Sequence, residues 1–232
     1  MATDHLGNRL LAQLDKRSIE AVEPYLRSER LFAGQVLAET HSHIQNVYFP
    51  HGGIISCLVE MEGGGAIQTG MIGRDGQFGA GAALDHKVCL NYVVMQMESN
   101  ASVIDADRFR SLVLECPELR KAVLRDELLF LAQVQQTAAC NAVHALKARA
   151  CKWLLRMHAL AGNDLPLTQQ YLAEMIGVQR SGVNRLAREL QASGLIKYFR
   201  GRVRIVDLAA IRTRACERDG ALSVHKAVVC EE

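Results

Sequence analysis

Two short helical patterns, separated by one glycine, occupy the last third of the chain. Thr168 is suited to cap a helix over residues 169–176, and Gly177 supplies a tight turn. A second helix is predicted from Gln179 to about Ala192. Its apolar residues recur at spacings of three and four, and they are Val183, Leu186, Ala187 and Leu190. Two helices joined by so short a connection, the second with one apolar face, predict a helix-turn-helix. Few other folds are compatible with this pattern.

The opposite face of the second helix is polar and cationic. Its members are Arg180, Ser181, Asn184, Arg185 and Arg188, and Gln179 at the start of the helix is a further candidate DNA contact. Arg can donate two hydrogen bonds to guanine, Asn can pair with adenine, and Ser can reach either base or a phosphate. The pattern therefore predicts a recognition helix that contacts base edges in the major groove. Thr168 and Gln169, at the start of the preceding helix, are predicted to contact a phosphate.

Two short strands follow the second helix, over residues 196–199 and 203–206. They are joined at Arg200-Gly201-Arg202, which predicts a β-hairpin wing with Arg200 and Arg202 as phosphate contacts. Two alternatives remain open. The helix-turn-helix is either a structural three-helix core without a DNA role, or the protein-interaction surface of a ligand-binding signalling module. The cationic wing and the outward Arg and Asn side chains favour DNA.

Charge is distributed unevenly along the chain. Residues 1–141 carry 12 Lys and Arg against 17 Asp and Glu, whereas residues 142–232 carry 15 against 8. Between residues 180 and 204, seven cationic residues accompany a single acidic one, Glu189. An acidic front half joined to a basic back half indicates a sensing or scaffolding domain that carries a polyanion-binding domain.

The region from Glu29 to Ala106 contains short runs rich in Val, Ile, Tyr and Phe, punctuated by glycine. Clear strand patterns occur at residues 47–49, 54–59 and 92–97. Regular turn signals between short strands predict a small antiparallel sandwich or roll. Ahead of this region, the apolar spacing from Leu6 to Leu26 predicts helix that Pro24 interrupts near its end.

A long helix is predicted to begin at Pro117, because no further proline or glycine follows until after Asn141. One stripe on it has the spacing of a two-stranded coiled-coil seam, and consists of Leu124, Leu128, Leu131, Gln135 and Ala138. A second stripe, Val123, Phe130 and Val134, is predicted to pack on the β domain. The seam is alternatively an ordinary core face, but two apolar stripes on one linking helix favour a homodimer. A further helix is predicted over residues 144–161.

Together these patterns predict an α+β fold in three parts. Residues 1–116 form an antiparallel β-roll, residues 117–141 a dimerisation helix, and residues 142–232 a winged helix-turn-helix. With 49% apolar and 22% charged residues the chain can form buried cores, and it contains no apolar window long enough to span a membrane. The N-terminus lacks the apolar region of a signal peptide, so a cytoplasmic location is expected.

No enzymatic activity is expected, because no nucleophile–base pair, metal-ligand quartet or phosphate loop occurs at usable spacing. We therefore predict no catalytic residue, cofactor or metal.

The seven cysteines include no Cys-x-x-Cys pair, which is typical of a reducing compartment. Cys140, His144 and Cys151 would share a face if they lay on one continuous helix, and are either packing residues or a redox or metal sensor. His41 and His43 offer a weaker metal alternative.

The chain resembles the Crp/Fnr family of bacterial transcription regulators from Leu6 to about Arg214. The most specific match is LTQQYLAEMIGVQRSGVNRL, from Leu167 to Leu186. The resemblance implies a β-roll like a cyclic-nucleotide-binding domain, a long dimer helix, and a homodimer that binds palindromic double-stranded DNA. It also implies RNA polymerase and a small-molecule effector, here of unknown identity, as further partners. A two-fold dimer places its recognition helices about one DNA turn apart, ~34 Å.

This chain departs from the family pattern at the recognition helix. Many members carry Arg-Glu there, whereas this chain has Arg180-Ser181 followed by Gly182. Loss of the carboxylate removes an acceptor suited to a cytosine amino group, so the operator preference should differ. Gly182 weakens the helix locally, by roughly 1 kcal/mol relative to Ala.

A second departure lies in the effector pocket. Family members that bind cyclic nucleotides carry a Gly-Glu-Leu-type segment, followed by an Arg that holds the phosphate. The matching positions here are Gly79, Ala80 and Asn91, and Lys87 is the only nearby cation. A buried phosphate without a paired cation is costly, so control by cAMP or cGMP is not expected. The cysteine cluster of iron–sulfur members has no counterpart before Cys57.

Overall fold

A computed structural model describes residues 5–84 and 88–216 of the chain. The strands are β1 (Arg27–Leu31), β2 (Val36–Ala38), β3 (Asn46–Pro50), β4 (Ile54–Glu60), β5 (Ala66–Ile72), β6 (Tyr92–Met97), β7 (Ser99–Asp105), β8 (Asp164–Leu165), β9 (Ile196–Phe199) and β10 (Arg202–Ile205). The α-helices are α1 (Arg9–Ala12), α2 (Lys16–Val22), α3 (Ala80–Leu84), α4 (Ala106–Glu115), α5 (Pro117–Val143), α6 (Leu146–Ala161), α7 (Gln169–Ile176), α8 (Arg180–Ala192) and α9 (Leu208–Arg214). Short 3-10 helices span His5–Gly7 and Glu23–Tyr25. The predicted order of a β-roll, a long helix and a helix-turn-helix is confirmed.

The β-roll consists of two sheets with the strand orders β1-β7-β3 and β2-β6-β4-β5. In the first sheet β7 pairs antiparallel with both neighbours, as predicted for short strands separated by tight turns. Phe49, Met95, Ile104 and Phe109 are completely buried in its core. The rings of Phe49 and Phe109 lie 5.8 Å apart, centroid to centroid, so α4 packs on the sheet through an aromatic contact.

The helical region before the roll contains two short α-helices, where the apolar spacing predicts one longer helix. These helices are α1 and α2. The Asn8 side chain accepts hydrogen bonds from the N–H groups of Leu10 and Leu11, and the Asp15 side chain accepts one from Ser18. Each polar side chain therefore caps the start of a separate helix, which outweighs the continuous apolar period.

Helix α5 begins at Pro117, as predicted, and ends at Val143. Val123 is buried in the core of the roll, and Phe130 packs against that core, which confirms this part of the second stripe. Helix α6 begins at Leu146 and not at His144. Cys140 and Cys151 therefore lie on separate helices, and the continuous helix on which their shared face depended is absent.

The described residues form two compact units. One comprises residues 5–57 and 71–130, without 85–87, and contains the core of the roll. The other comprises residues 58–70 and 131–216, and contains the helix-turn-helix with the sheet β8-β10-β9. Within the described ranges, no helix is both long enough and apolar enough to cross a membrane.

Candidate nucleic-acid interface and β-roll cavity

The first helix of the helix-turn-helix, α7, starts and stops at the predicted residues. The Thr168 hydroxyl accepts a hydrogen bond from the Tyr171 N–H at 3.2 Å and caps the helix. Gly177 ends it in the left-handed conformation, with a φ of 66°, and its N–H donates to the Ala173 carbonyl. Because residues with a Cβ are strained in this conformation, the turn between α7 and α8 depends on glycine.

Helix α8 presents two different faces. Its buried residues are Val183, Leu186, Ala187 and Leu190, as the spacing predicts. Its exposed residues on the opposite side include Ser181, Asn184, Arg185 and Arg188. Gln179 is the N-cap and is also exposed, whereas Arg180 opens the helix and its side chain lies outside the described part of the structure. The polar face predicted from sequence is therefore accessible to a ligand.

A hydrogen bond joins the two helices on this surface. Gln169 Nε2 donates to Asn184 Oδ1 at 2.7 Å. The bond engages the oxygen of the Asn184 amide and restrains its plane, so the amide nitrogen is the group with which Asn184 can donate outward. The sequence placed both residues on the interface but gave no signal for this contact.

The wing lies close to the start of α7. Arg200 and Gly201 connect β9 and β10 with positive φ values of 45° and 73°, as in a two-residue hairpin turn. A Cβ added to Gly201 would lie 3.7 Å from Thr168 Cγ2. The wing tip and the Thr168 cap are therefore neighbours, and together with α8 they form one continuous surface.

The cations of the wing have different surroundings. Arg204 Nε donates to Asp164 Oδ1 at 2.6 Å, and Arg204 Nη2 donates to Asp164 Oδ2 at 3.2 Å. This pairing lowers the pKa of Asp164 and raises the pKa of Arg204. The Arg200 guanidinium carbon lies 4.9 Å from the ring centroid of Phe199, which is 66% exposed. Arg200 and Arg202 are exposed cations at the tip, whereas Arg204 supports the β8–β10 contact.

A cavity of about 650 Å³ lies in the unit that contains the roll core. Of the three residues that the sequence analysis assigned to the effector pocket, Gly79 and Asn91 line the cavity, whereas Ala80 is completely buried and is not a lining residue. Lys87, the cation noted in the sequence, lies outside the described residues. The lining also includes Cys57, Cys89 and Glu127, which the sequence analysis did not assign to the effector pocket.

Two adjacent carboxylates of α5 contact the loop that borders this cavity. Asp126 Oδ2 accepts a hydrogen bond from the Gln77 N–H at 3.2 Å. Glu127 Oε1 accepts from Gln77 Nε2 at 2.9 Å and from the Gly81 N–H at 3.0 Å. Burial raises the pKa of Asp126 to about 7, with the Gln77 N–H opposing the shift and Glu127 adding to it.

Within the described residues, no group of three or more His, Cys, Asp or Glu side chains could hold a metal ion. His41 lies in a turn with a φ of 66°, and His43 forms an isolated bridge with Val88, so the two do not share a strand. The Cys140 thiol accepts hydrogen bonds from Gln136 and Lys152, with nitrogen–sulfur distances of 3.4 and 3.6 Å.

The helix-turn-helix region matches a known domain family. Residues 148–214 match the model of the Crp-like helix-turn-helix domain. The match contains α7, α8 and both strands of the wing, which are the elements that form the surface described above. No curated protein matches the chain.

Solved structures resemble the chain over most of its length. The c-di-GMP-responsive global regulator CLP of Xanthomonas campestris is 17% identical, with a TM-score of 0.69, over 83% of this chain and 100% of its own. A CRP family regulator from Thermus thermophilus is 18% identical, with a TM-score of 0.70, over 81% and 96%. A CRP/FNR family regulator from the same organism is 21% identical, with a TM-score of 0.68, over 83% and 100%. The chain thus has the fold of these regulators, and its residues 148–214 match a Crp-like helix-turn-helix domain.

Proposed function

We propose that the protein is a sequence-specific transcription regulator that acts as a homodimer on a palindromic DNA operator. The observation that carries this proposal is the continuous surface formed by α7, α8 and the wing. It combines exposed cations, Arg185, Arg188, Arg200 and Arg202, with the restrained Asn184 amide. Cations supply affinity for phosphates, and a restrained amide on a recognition helix supplies base discrimination.

The restrained Asn184 amide also suggests what the helix reads. Its oxygen already accepts a hydrogen bond from Gln169. The amide nitrogen is therefore suited to donate to an acceptor in the major groove, such as a purine N7. Arg185 lies next to it on the exposed face and is suited to guanine. We expect the operator half-site to contain adjacent purines at these positions.

The homodimer is supported by the exposed face of α5. Leu124, Leu128 and Leu131 are 50%, 57% and 50% exposed in the single chain, and Gln135 and Ala138 continue the same stripe. Alternating steps of four and three residues make the stripe self-complementary in a two-stranded coiled coil. A second copy of the chain is therefore the occupant that we propose, with the two recognition helices one DNA turn apart, ~34 Å.

Cyclic AMP is not the proposed effector. Among the described residues that line the cavity there is no Lys or Arg, and the Gly81 N–H already donates to Glu127. A phosphate there would lie beside a carboxylate and find no paired cation among the described lining residues, which is unfavourable in a partly buried site. The response to c-di-GMP named for the Xanthomonas protein is not extended to this chain, because that ligand is also anionic.

In this proposal, residues 1–116 sense an effector, residues 117–141 pair two copies, and residues 142–232 bind DNA. RNA polymerase is the proposed downstream partner. The protein would act in the cytoplasm and carry out no reaction of its own. The exposed cations at the wing tip favour this role over a signalling module that uses its helix-turn-helix for protein contact.

Selection of bound duplexes from a random DNA pool tests the proposal. We expect enrichment of a two-fold symmetric sequence whose half-sites lie about one helical turn apart. Arg185→Ala should remove preference at one position of each half-site, at a cost of about 1–3 kcal/mol. Arg212→Ala, which removes an exposed cation on α9, serves as the matched control and should retain the preference. Failure to enrich any sequence over random DNA would refute the proposal.

A further inference from the structure

The cavity in the roll has an unusual combination of size, apolar lining and charge. Its volume of about 650 Å³ is within the range of small-molecule sites. Most of its lining is hydrocarbon, including Ile72, Phe78, Val93 and Phe130. The thiols of Cys57 and Cys89 add soft, weakly polar surface, and burial raises the pKa of both. A ligand in this space would be desolvated mainly by apolar groups.

The charged group placed in the lining is a carboxylate. Glu127 is the sole Asp, Glu, Lys or Arg among the described lining residues. Its Oε1 atom accepts hydrogen bonds from the backbone of Gly81 and the side chain of Gln77. These two donors are the kind that would otherwise hold an external anion, and they are already engaged by the protein itself.

The close approach of Glu127 depends on a glycine. A Cβ added to Gly81 would lie 2.7 Å from Glu127 Oε1 and 2.8 Å from its carboxyl carbon. Only a residue without a side chain leaves room for the carboxylate at this position. The Gln77 side chain completes the arrangement, since its Oε1 accepts from the Ala80 N–H at 2.9 Å while its nitrogen donates to Glu127.

We propose that this cavity binds an uncharged, mainly apolar small molecule that donates a hydrogen bond to Glu127, and that it excludes anions. The inference rests on the proposed function only in treating the ligand as an effector. The apolar lining supplies affinity by the area that it removes from water. The carboxylate supplies selectivity, because an anion beside it meets repulsion and finds its donors occupied, whereas a neutral N–H or O–H group gains an acceptor.

A pair of fluorescent probes with the same ring system tests this selectivity on the full chain. N-phenyl-1-naphthylamine is neutral and carries one N–H group, whereas 8-anilino-1-naphthalenesulfonate has the same rings and an added sulfonate. We expect the neutral probe to bind with a Kd at least tenfold lower than that of the sulfonate. Glu127→Gln removes the charge and keeps the side-chain size, and should narrow the difference to threefold or less.

Two variants locate the binding. Ala82 and Asn91 both line the cavity, so Ala82→Trp and, separately, Asn91→Trp should fill it and weaken binding of the neutral probe at least tenfold. Far-UV circular dichroism identifies which variant is folded. Leu114→Trp, at an exposed position of α4 outside the cavity lining, is the matched control and should leave binding of the neutral probe unchanged.

The outcomes separate this inference from the proposed function. Equal affinity for both probes, or undiminished binding of the neutral probe to a folded cavity-filling variant, overturns the inference and leaves the DNA selection unaffected. Failure of the DNA selection together with tenfold probe discrimination overturns the proposed function alone.

Discussion

Replacing Asp126 by Asn tests the energetic consequence of the buried carboxylate on α5. The Asp126 carboxylate accepts a hydrogen bond from the Gln77 N–H, and a Cβ on Gly76 would lie 3.0 Å from its Oδ1 atom. Burial dominates its surroundings, so the pKa rises from 3.8 to about 7. The folded protein therefore keeps a proton on Asp126 at pH values at which the unfolded chain has released it.

The sign of the effect on stability follows from this difference. Between about pH 4 and pH 7, the free energy of unfolding should fall by about 1.4 kcal/mol per pH unit because of Asp126. The contribution is fully present below the unfolded-state pKa, and roughly 4 kcal/mol is lost once the pH exceeds the folded-state pKa. Asp126→Asn retains an oxygen that can accept from Gln77 and cannot ionise, so its stability should lack this slope.

Urea unfolding at fixed protein concentration, followed by far-UV circular dichroism, measures the difference. Relative to the unsubstituted protein, Asp126→Asn should gain about 2 kcal/mol between pH 5 and pH 7 and little more above pH 8. Glu115→Gln removes an exposed carboxylate on α4 and is the matched control, with little expected gain. Parallel profiles for Asp126→Asn and the unsubstituted protein would show that the carboxylate is not desolvated.

Four further substitutions probe the seam, the wing and the recognition helix. Leu128→Arg places a charge in the exposed stripe of α5 and should halve the mass measured by analytical ultracentrifugation; an unchanged mass would argue against the seam. Arg202→Ala should reduce the slope of log affinity for DNA against log salt by about 1. Arg204→Ala should change that slope much less, because Arg204 is paired with Asp164; equal changes would contradict the distinction. Gly182→Ala should raise stability by up to about 1 kcal/mol in thermal unfolding, because its Cβ would meet Val178 at an ordinary 3.5 Å.

Local signals explain why the helix-turn-helix could be predicted almost residue by residue. The Thr168 cap, the Gly177 turn and the apolar spacing of α8 each act within a few residues, and all of them agree. The first residue of α6 was harder to predict from the sequence. The residues from His144 onward have no helix breaker, yet the helix begins at Leu146, after Ala145 adopts an extended conformation with no side-chain cap. Such a break is decided by packing, not by local preference.

The charge pairing in the wing also could not be predicted from local sequence. The sequence counts Arg202 and Arg204 among the seven cationic residues between positions 180 and 204, with no sign that Arg204 is paired. The pairing of β10 with β8 brings Asp164 beside Arg204, although 40 positions separate them in the chain. Arg202 and Arg204 thus acquire different roles from a strand pairing of only two residues, which is too short to be recognised from its pattern.

The charge of the cavity depends on two elements that are distant in sequence. In the sequence, Ala80 and Asn91 stand at the positions of the missing charged groups, and nothing links Asp126 or Glu127 to the pocket. Gly76 and Gly81 allow both carboxylates to approach the loop, which turns a neutral site into one with a resident acceptor. The same contact ties α5 to the roll without an external anion. An effector would therefore act by changing the Glu127 contact, and not by supplying the charge that holds the helix in place.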